Sequence, residues 1–163
     1  MSKLTVTTDV PTEICMTRVF DAPRRLVVRA MTEPELIKRW LGNSHSPITA
    51  VEVDLSVGGR YRYAFRRPDG VTFALAGTFR EITDDRIVFT QGMEDQPGGD
   101  AIVTSTFVEK GGQTTMTVVL SFPTQEVRDF VLATGMADGA GESYDNLATL
   151  LEHLRAGQGG QAA

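Results

Sequence analysis

Two histidines, His45 and His153, and one cysteine, Cys15, are the side chains best suited to metal binding or nucleophilic chemistry near neutral pH. None of them stands in a spacing that such chemistry needs. There is no HExxH pair and no CxxC pair to build a metal site. There is no G-x-S-x-G turn, and neither histidine is near Cys15 in sequence to act as its base. His153 falls near the end of a helical pattern, where it compensates the partial charge of the helix terminus. His45 lies in a serine-rich loop, between Ser44 and Ser46. No metal and no cofactor are expected.

Carboxylates are plentiful, but only Glu52, Asp54 and Glu81 fall within strand patterns. If Glu81 shares the phase of Phe73 and Phe79, it points inward, and desolvation raises its pKa into the range of a general acid or base. The alternative is a strand-end residue paired with Arg80 or Arg86. The aromatic residues make a larger group. Trp40, Tyr61, Tyr63, Phe65, Phe73, Phe79, Phe107, Met116, Phe130, Met136 and Tyr144 are all expected to face a space between a sheet and a helix. Any one of them reads as core packing. Together they line an apolar cleft of the usual ligand size, roughly 300–1,000 Å³, with tyrosine hydroxyls as polar anchors.

The elements that must position these residues follow from periodicity. Residues 1–11 read as a loose arm, and Thr12–Phe20 as a first strand. Pro23 opens a short helix through Met31, and Thr32 with Glu35 has the form of a capping box for a second helix carrying Leu36, Ile37 and Trp40, stopped at Gly42. From Ser46 the period becomes two. Ala50–Leu55, Arg60–Arg66, Phe73–Ile82, Arg86–Thr90, Ala101–Glu109 and Gln113–Phe122 read as consecutive antiparallel strands joined by glycine, proline and aspartate turns. Such a meander hides one face and wets the other.

Its cover is the stretch Thr124–Leu154. Val127, Phe130, Val131, Thr134, Ala137, Gly141, Tyr144, Leu147, Ala148, Leu151 and Leu154 recur at helical spacing, with acids between them. A straight helix of that length would span roughly 46 Å, against a radius of gyration of about 15 Å for a globule of this size. It is expected to bend at Gly135, Gly139 and Gly141. Residues 155–163 read as a disordered tail, leaving 12–154 as a single domain.

Composition narrows the class. The net charge of −5 argues against nucleic acid. The cluster Arg60, Arg62, Arg66 and Arg67 reads as a solvated outer face. The lone cysteine and the polar start, Met1–Val10, point to the cytoplasm, and no apolar run reaches the roughly 20 residues of a membrane span. No pattern specifies an oligomeric state.

Several motifs carry a resemblance. Arg18-Val-Phe-Asp-Ala-Pro23, Met31-Thr-Glu-Pro-Glu-Leu-Ile-Lys-Arg-Trp40, Gly58-Gly-Arg-Tyr-Arg-Tyr63, Pro68-Asp-Gly70 and Ala133-Thr-Gly-Met136 with Gly139 and Tyr144 resemble the Hsp90 ATPase activator homologue-like family of the START and Bet v 1-like (SRPBCC) superfamily. The resemblance covers about residues 12–154 in order. It implies an α+β helix-grip fold: a curved antiparallel sheet around a long C-terminal helix, with two short helices after the first strand. Family members usually carry bulkier residues near Leu41 and Ala140, which implies a wider cavity there.

Three functions follow as expectations. The first is binding of a small apolar or aromatic molecule in the cavity. The second is a protein partner, a chaperone whose ATPase the domain modulates, although eukaryotic activators of that kind carry a further N-terminal domain for which this chain has no room. The third is a cavity-based enzyme, as some cyclases and hydrolases of the superfamily are. Here no acid–base pair stands out and no catalytic residue is assigned.

Overall fold

Alternation along Glu13–Phe20 buries Ile14, Met16, Arg18 and Phe20 and leaves their neighbours half-buried, so this strand covers a core with one face. The computed structural model describes residues 3–96 and 98–162, the side chains of 158–162 aside. Met1 and Ser2 of the expected arm and Ala163 of the expected tail lie outside them.

The strands are β1 (Thr5–Thr7), β2 (Glu13–Phe20), β3 (Ile48–Val53), β4 (Arg60–Arg66), β5 (Thr72–Ile82), β6 (Arg86–Met93), β7 (Ala101–Lys110) and β8 (Gln113–Ser121). They form one antiparallel sheet of eight strands in the order β1-β2-β8-β7-β6-β5-β4-β3. The meander from β3 to β8 follows the sequence order, and β2 closes against β8. The helices are α1 (Arg24–Thr32), α2 (Pro34–Trp40), α3 (Gln125–Ala133) and α4 (Met136–Ala162). A curved sheet with a long C-terminal helix is the expected α+β helix-grip architecture.

Four details differ from the expectation. The arm is partly ordered: β1 pairs with β2 through Thr5↔Thr17 and Thr7↔Cys15, and Leu4 and Val6 pack against the core. A strand edge with free backbone groups recruits such a segment. The tail differs too, because α4 runs on through Ala162. Alanine and glutamine favour helix, and extending an existing helix adds a hydrogen bond for each residue ordered.

The capping box at Thr32 does not form. Thr32 ends α1, and its hydroxyl donates to the Val28 carbonyl at 2.8 Å; Glu33 is the N-cap of α2, which starts on Pro34. Finally, the long helix is two helices. Gly135 takes φ +81°, a left-handed conformation that ends α3 at little steric cost, and α4 restarts at Met136. Gly139 and Gly141 lie within α4.

The break changes which residues face inward. In α3 the side chains turned to the protein are Val127, Arg128, Val131 and Leu132, at helix angles between about 0° and 140° from Val127, and Phe130 at about 300° falls outside that arc. Phe130 is 68% exposed, so its expected place in the sheet-to-helix space is wrong. Past the break, α4 buries Ser143, Tyr144, Leu147, Leu150 and Leu151.

Candidate functional site

The inward positions of neighbouring strands put the expected aromatic residues into separate groups rather than around one open cleft. Trp40 at the end of α2 and Tyr144 on α4 have ring centroids 5.9 Å apart, and Phe20 of β2 meets Tyr144 edge-on at 6.4 Å. The Trp40 indole N–H donates to the Ala30 carbonyl at 2.9 Å, which sets the ring's orientation. Across the sheet, Tyr61 touches Tyr63 at 4.8 Å, Phe89 at 5.4 Å and Phe79 at 5.5 Å between ring centroids.

The other expected residues stand apart. Phe107 and Met116 face each other across β7 and β8 and are fully buried in the core. Phe65 and Phe73 form a stacked cross-strand pair, 5.2 Å between centroids, with the Arg67 guanidinium over Phe73. Met136, first residue of α4, is partly buried against the core. Phe20 and Phe89 were missing from the expected set, although both sit on the inward phase of their strands.

Burial changes the chemistry of the tyrosines. Desolvation pushes the Tyr144 phenol up to about 12, from its ordinary 10.0. The Tyr63 phenol is raised further, by desolvation first and then by the charge of the Tyr144 phenol. Tyr61 is raised by burial as well, and its hydroxyl is satisfied by the Thr90 carbonyl at 2.7 Å.

An open cleft of about 230 Å³ lies at the Trp40 end, lined by Trp40, Leu41, Gly42, Asn43, Glu142 and Asn146 among others. It is smaller than the expected cavity, because the aromatic rings further in pack on one another. Its rim is built by polar contacts between the α2–β3 loop and α4. Ser143 donates to the Gly42 carbonyl at 2.7 Å, and the Ser44 backbone N–H donates to Glu142 at 3.0 Å. Asn43 Oδ1 accepts from the backbone N–H groups of His45 and Ser46, both at 2.9 Å, which closes the loop and leaves the His45 side chain exposed. His153 is exposed on α4.

A second cleft of about 190 Å³ is bounded by Glu52, Arg60, Tyr61, Arg62, Ala76 and Glu94. Arg62 is paired there with Glu94, at 2.7 and 3.2 Å, and its guanidinium holds the Glu94 carboxyl below the usual range. Glu81 follows the paired reading of the sequence. A register shift between Phe79 and Glu81 removes it from the inward phase, and its carboxylate lies 3.4 Å from Arg86 with much of both side chains exposed. Among the described residues, no three His, Cys, Asp or Glu side chains converge in a way that could hold a metal ion. No helix among them is long and apolar enough to cross a membrane.

The model of the family described as activator of Hsp90 ATPase homolog 1-like protein matches residues 21–152. The chain belongs to that family. Solved structures share the fold of this Hsp90 ATPase activator homologue-like domain over nearly its whole length. A Mycobacterium smegmatis protein, Ms6760, is 27% identical, with TM-score 0.82, covering 91% of this chain and 96% of its own. Protein NE0264 from Nitrosomonas europaea is 26% identical, with TM-score 0.80, covering 91% and 99%. A Rhodobacter sphaeroides protein shares the fold at 24% identity and TM-score 0.84, covering 93% and 99%. No curated protein matches the chain. Leu41 lines the open cleft and Ala140 packs partly buried against the core.

One inward residue of this activator homologue-like domain was absent from the expected site altogether. Arg18 is 1% exposed, on the concave face of β2, with its guanidinium 5.5 Å from the Phe20 ring centroid. The signal was present in the sequence: in Ile14, Met16, Arg18 and Phe20, a charge occupies the inward phase of an otherwise apolar alternation.

Proposed function

We propose that this domain binds a small aromatic or hydrophobic molecule between the concave face of the sheet and α4, with entry beside Trp40. The observation that carries the reading is the open cleft of about 230 Å³ lined by Trp40, whose ring lies 5.9 Å from that of Tyr144. Burial of the Tyr63 and Tyr144 phenols sets polar anchors in an apolar setting, which suits a small aromatic ligand. The cleft supplies a mouth, and Met136 at the start of α4 packs partly buried against the core. The lone free Cys15 accords with a cytoplasmic setting.

The test is thermal stability against a panel of neutral aromatic compounds. A ligand at a hundred times its Kd stabilises by about 2.7 kcal/mol, which for a chain of this length raises Tm by roughly 5–10 °C. Tyr63→Leu and Met136→Ser are expected to diminish the rise. A panel without effect on the wild type, or variants that keep the full effect, would overturn the reading.

A second reading is favoured by the family match, whose description is that of an Hsp90 ATPase activator. In it, the domain docks on a chaperone through an exposed apolar residue such as Phe130. ATP turnover by the Hsp90 of the same cell, with saturating domain and with its Phe130→Ser variant, tests this; unchanged turnover with the wild-type domain disposes of it.

A further inference from the structure

Arg18 is the largest fully buried side chain among the described residues. It lies between Met16 and Phe20 on the inward phase of β2, opposite Met116 of β8. One nitrogen, Nη1, donates to Asp145 Oδ1 of α4 at 2.7 Å, and the Asp145 side chain is 65% exposed. The other two, Nε and Nη2, are buried without a hydrogen-bond partner. They are the only buried side-chain nitrogens or oxygens in that condition among the described residues.

The geometry of the guanidinium makes this pair specific. The N–H bonds of Nε and Nη2 run parallel along one edge of the plane and form the fork that receives both oxygens of a carboxylate. The Asp145 contact uses the other side, so the intact fork is left facing the interior. Its surroundings join it to the proposed ligand space: the Phe20 ring that meets the Arg18 guanidinium also meets Tyr144 edge-on. Packing does not require a charge here. Replacing a buried ionic group by an apolar side chain of similar volume is often neutral or stabilising, so keeping an unpaired fork calls for a use.

We propose that the Nε–Nη2 edge of Arg18 anchors a carboxylate carried by the ligand, which makes the ligand an aromatic or hydrophobic acid. The inference rests on the pocket reading above. Asp145 is a positioning residue: it holds the guanidinium from its Nη1 side and offsets its charge while the site is empty of anion. Phe20 then covers the face of the guanidinium and shields the ion pair from water.

The experiment compares aryl carboxylates of graded size with their primary amides, and with acetate alone, by calorimetric titration and thermal shift. A charge-assisted fork is expected to make the acid bind roughly ten- to hundredfold tighter than its amide. In Arg18→Met the acid's advantage is lost while the amide's affinity is kept. In Asp145→Asn the acid binds more tightly still, because a competing negative charge is gone. Equal binding of acid and amide to the wild type overturns the carboxylate anchor and leaves the pocket standing. Binding of neither overturns both. Acetate that reproduces the full effect overturns the claim that the carboxylate belongs to an aromatic ligand. If Arg18→Met fails to fold, the wild-type comparison and Asp145→Asn still decide.

Discussion

Tyr61 on β4 reaches over Gly77 of β5 and donates its hydroxyl hydrogen to the Thr90 carbonyl on β6, at 2.7 Å. A Cβ at Gly77 would stand 1.7 Å from that carbonyl oxygen and 2.9 Å from Tyr61 Cε1, so only glycine leaves the path open. Thr90 completes the link through its own side chain, which accepts from the Thr78 backbone N–H at 3.0 Å. The β5–β6 ladder is thus closed here by side chains. Tyr61→Phe strands the Thr90 carbonyl and is expected to cost about 1–3 kcal/mol. Gly77→Ala is expected to cost more, since backbone must move. Denaturant unfolding of both variants measures the order, and an unaffected Gly77→Ala would contradict it.

Arg128 ties α3 to the N-terminal segment. It is buried, and Nη1 lies within hydrogen-bond reach of the Glu13, Val10 and Thr8 carbonyls at 3.1, 3.2 and 3.4 Å, with Nε on Asp129 at 2.7 Å. Arg128→Met keeps the apolar stem and removes the donors. Amide hydrogen exchange at Thr5–Thr7 is expected to speed up, with a stability loss of about 1–3 kcal/mol. Unchanged protection of β1 would mean that its pairing with β2 suffices.

Phe130 is the internal control on the same helix. Its side chain is exposed, so Phe130→Ser is expected to change stability by no more than about 0.5 kcal/mol. A loss of several kcal/mol in a melting curve would place that ring in the core after all.

The three glycines near the start of α4 are expected to respond with different signs. Gly135→Ala forces a side chain into the left-handed region and costs about 1–2 kcal/mol. Gly139→Ala puts a methyl 2.9 Å from Asn43 Nδ2 and displaces the loop it closes. Gly141 sits in regular helix with nothing within 4 Å of the added Cβ, and Gly141→Ala is expected to stabilise by roughly 0.5–1 kcal/mol. Urea midpoints of the three variants would show the pattern, and a uniform response would refute it.

The alkaline limb of the stability curve reports on the interior. The phenols of Tyr61, Tyr63 and Tyr144 are held above their ordinary value of 10.0 by burial, Tyr144 at about 12. Above pH 10 the unfolded chain loses these protons and the folded one keeps them. Stability is therefore complete below pH 10 and falls as pH rises through about 12 and beyond. Near-ultraviolet tyrosinate absorbance should stay flat until unfolding and then appear in one step for all three. A gradual titration centred on pH 10 would mean that the phenols are solvated.

Local pattern and tertiary placement contributed differently. Arg60–Arg66 was legible as a strand to the residue, because a hairpin's alternation and its glycine turns are written within a few neighbouring positions. The order of strands and helices and the core face of β8, with Met116, Val118 and Leu120, follow from the same local rules, as does a bend near Gly135. Phe130 was misplaced because one helical phase was carried across a break that resets it. Thr32 was misread because a hydroxyl that ends one helix and a hydroxyl that starts the next look alike in sequence.

Periodicity and turn chemistry act between near neighbours, and they suffice for a meander with one apolar face and a helix to cover it. The assembly of the folded chain decided that Arg18 meets Asp145, 127 positions away, with its Nε–Nη2 edge left unpaired. It also decided which aromatic rings pack on one another. Those relations depend on the curvature of the sheet and the seat of α4 on it, which are set by the packing of all the elements together.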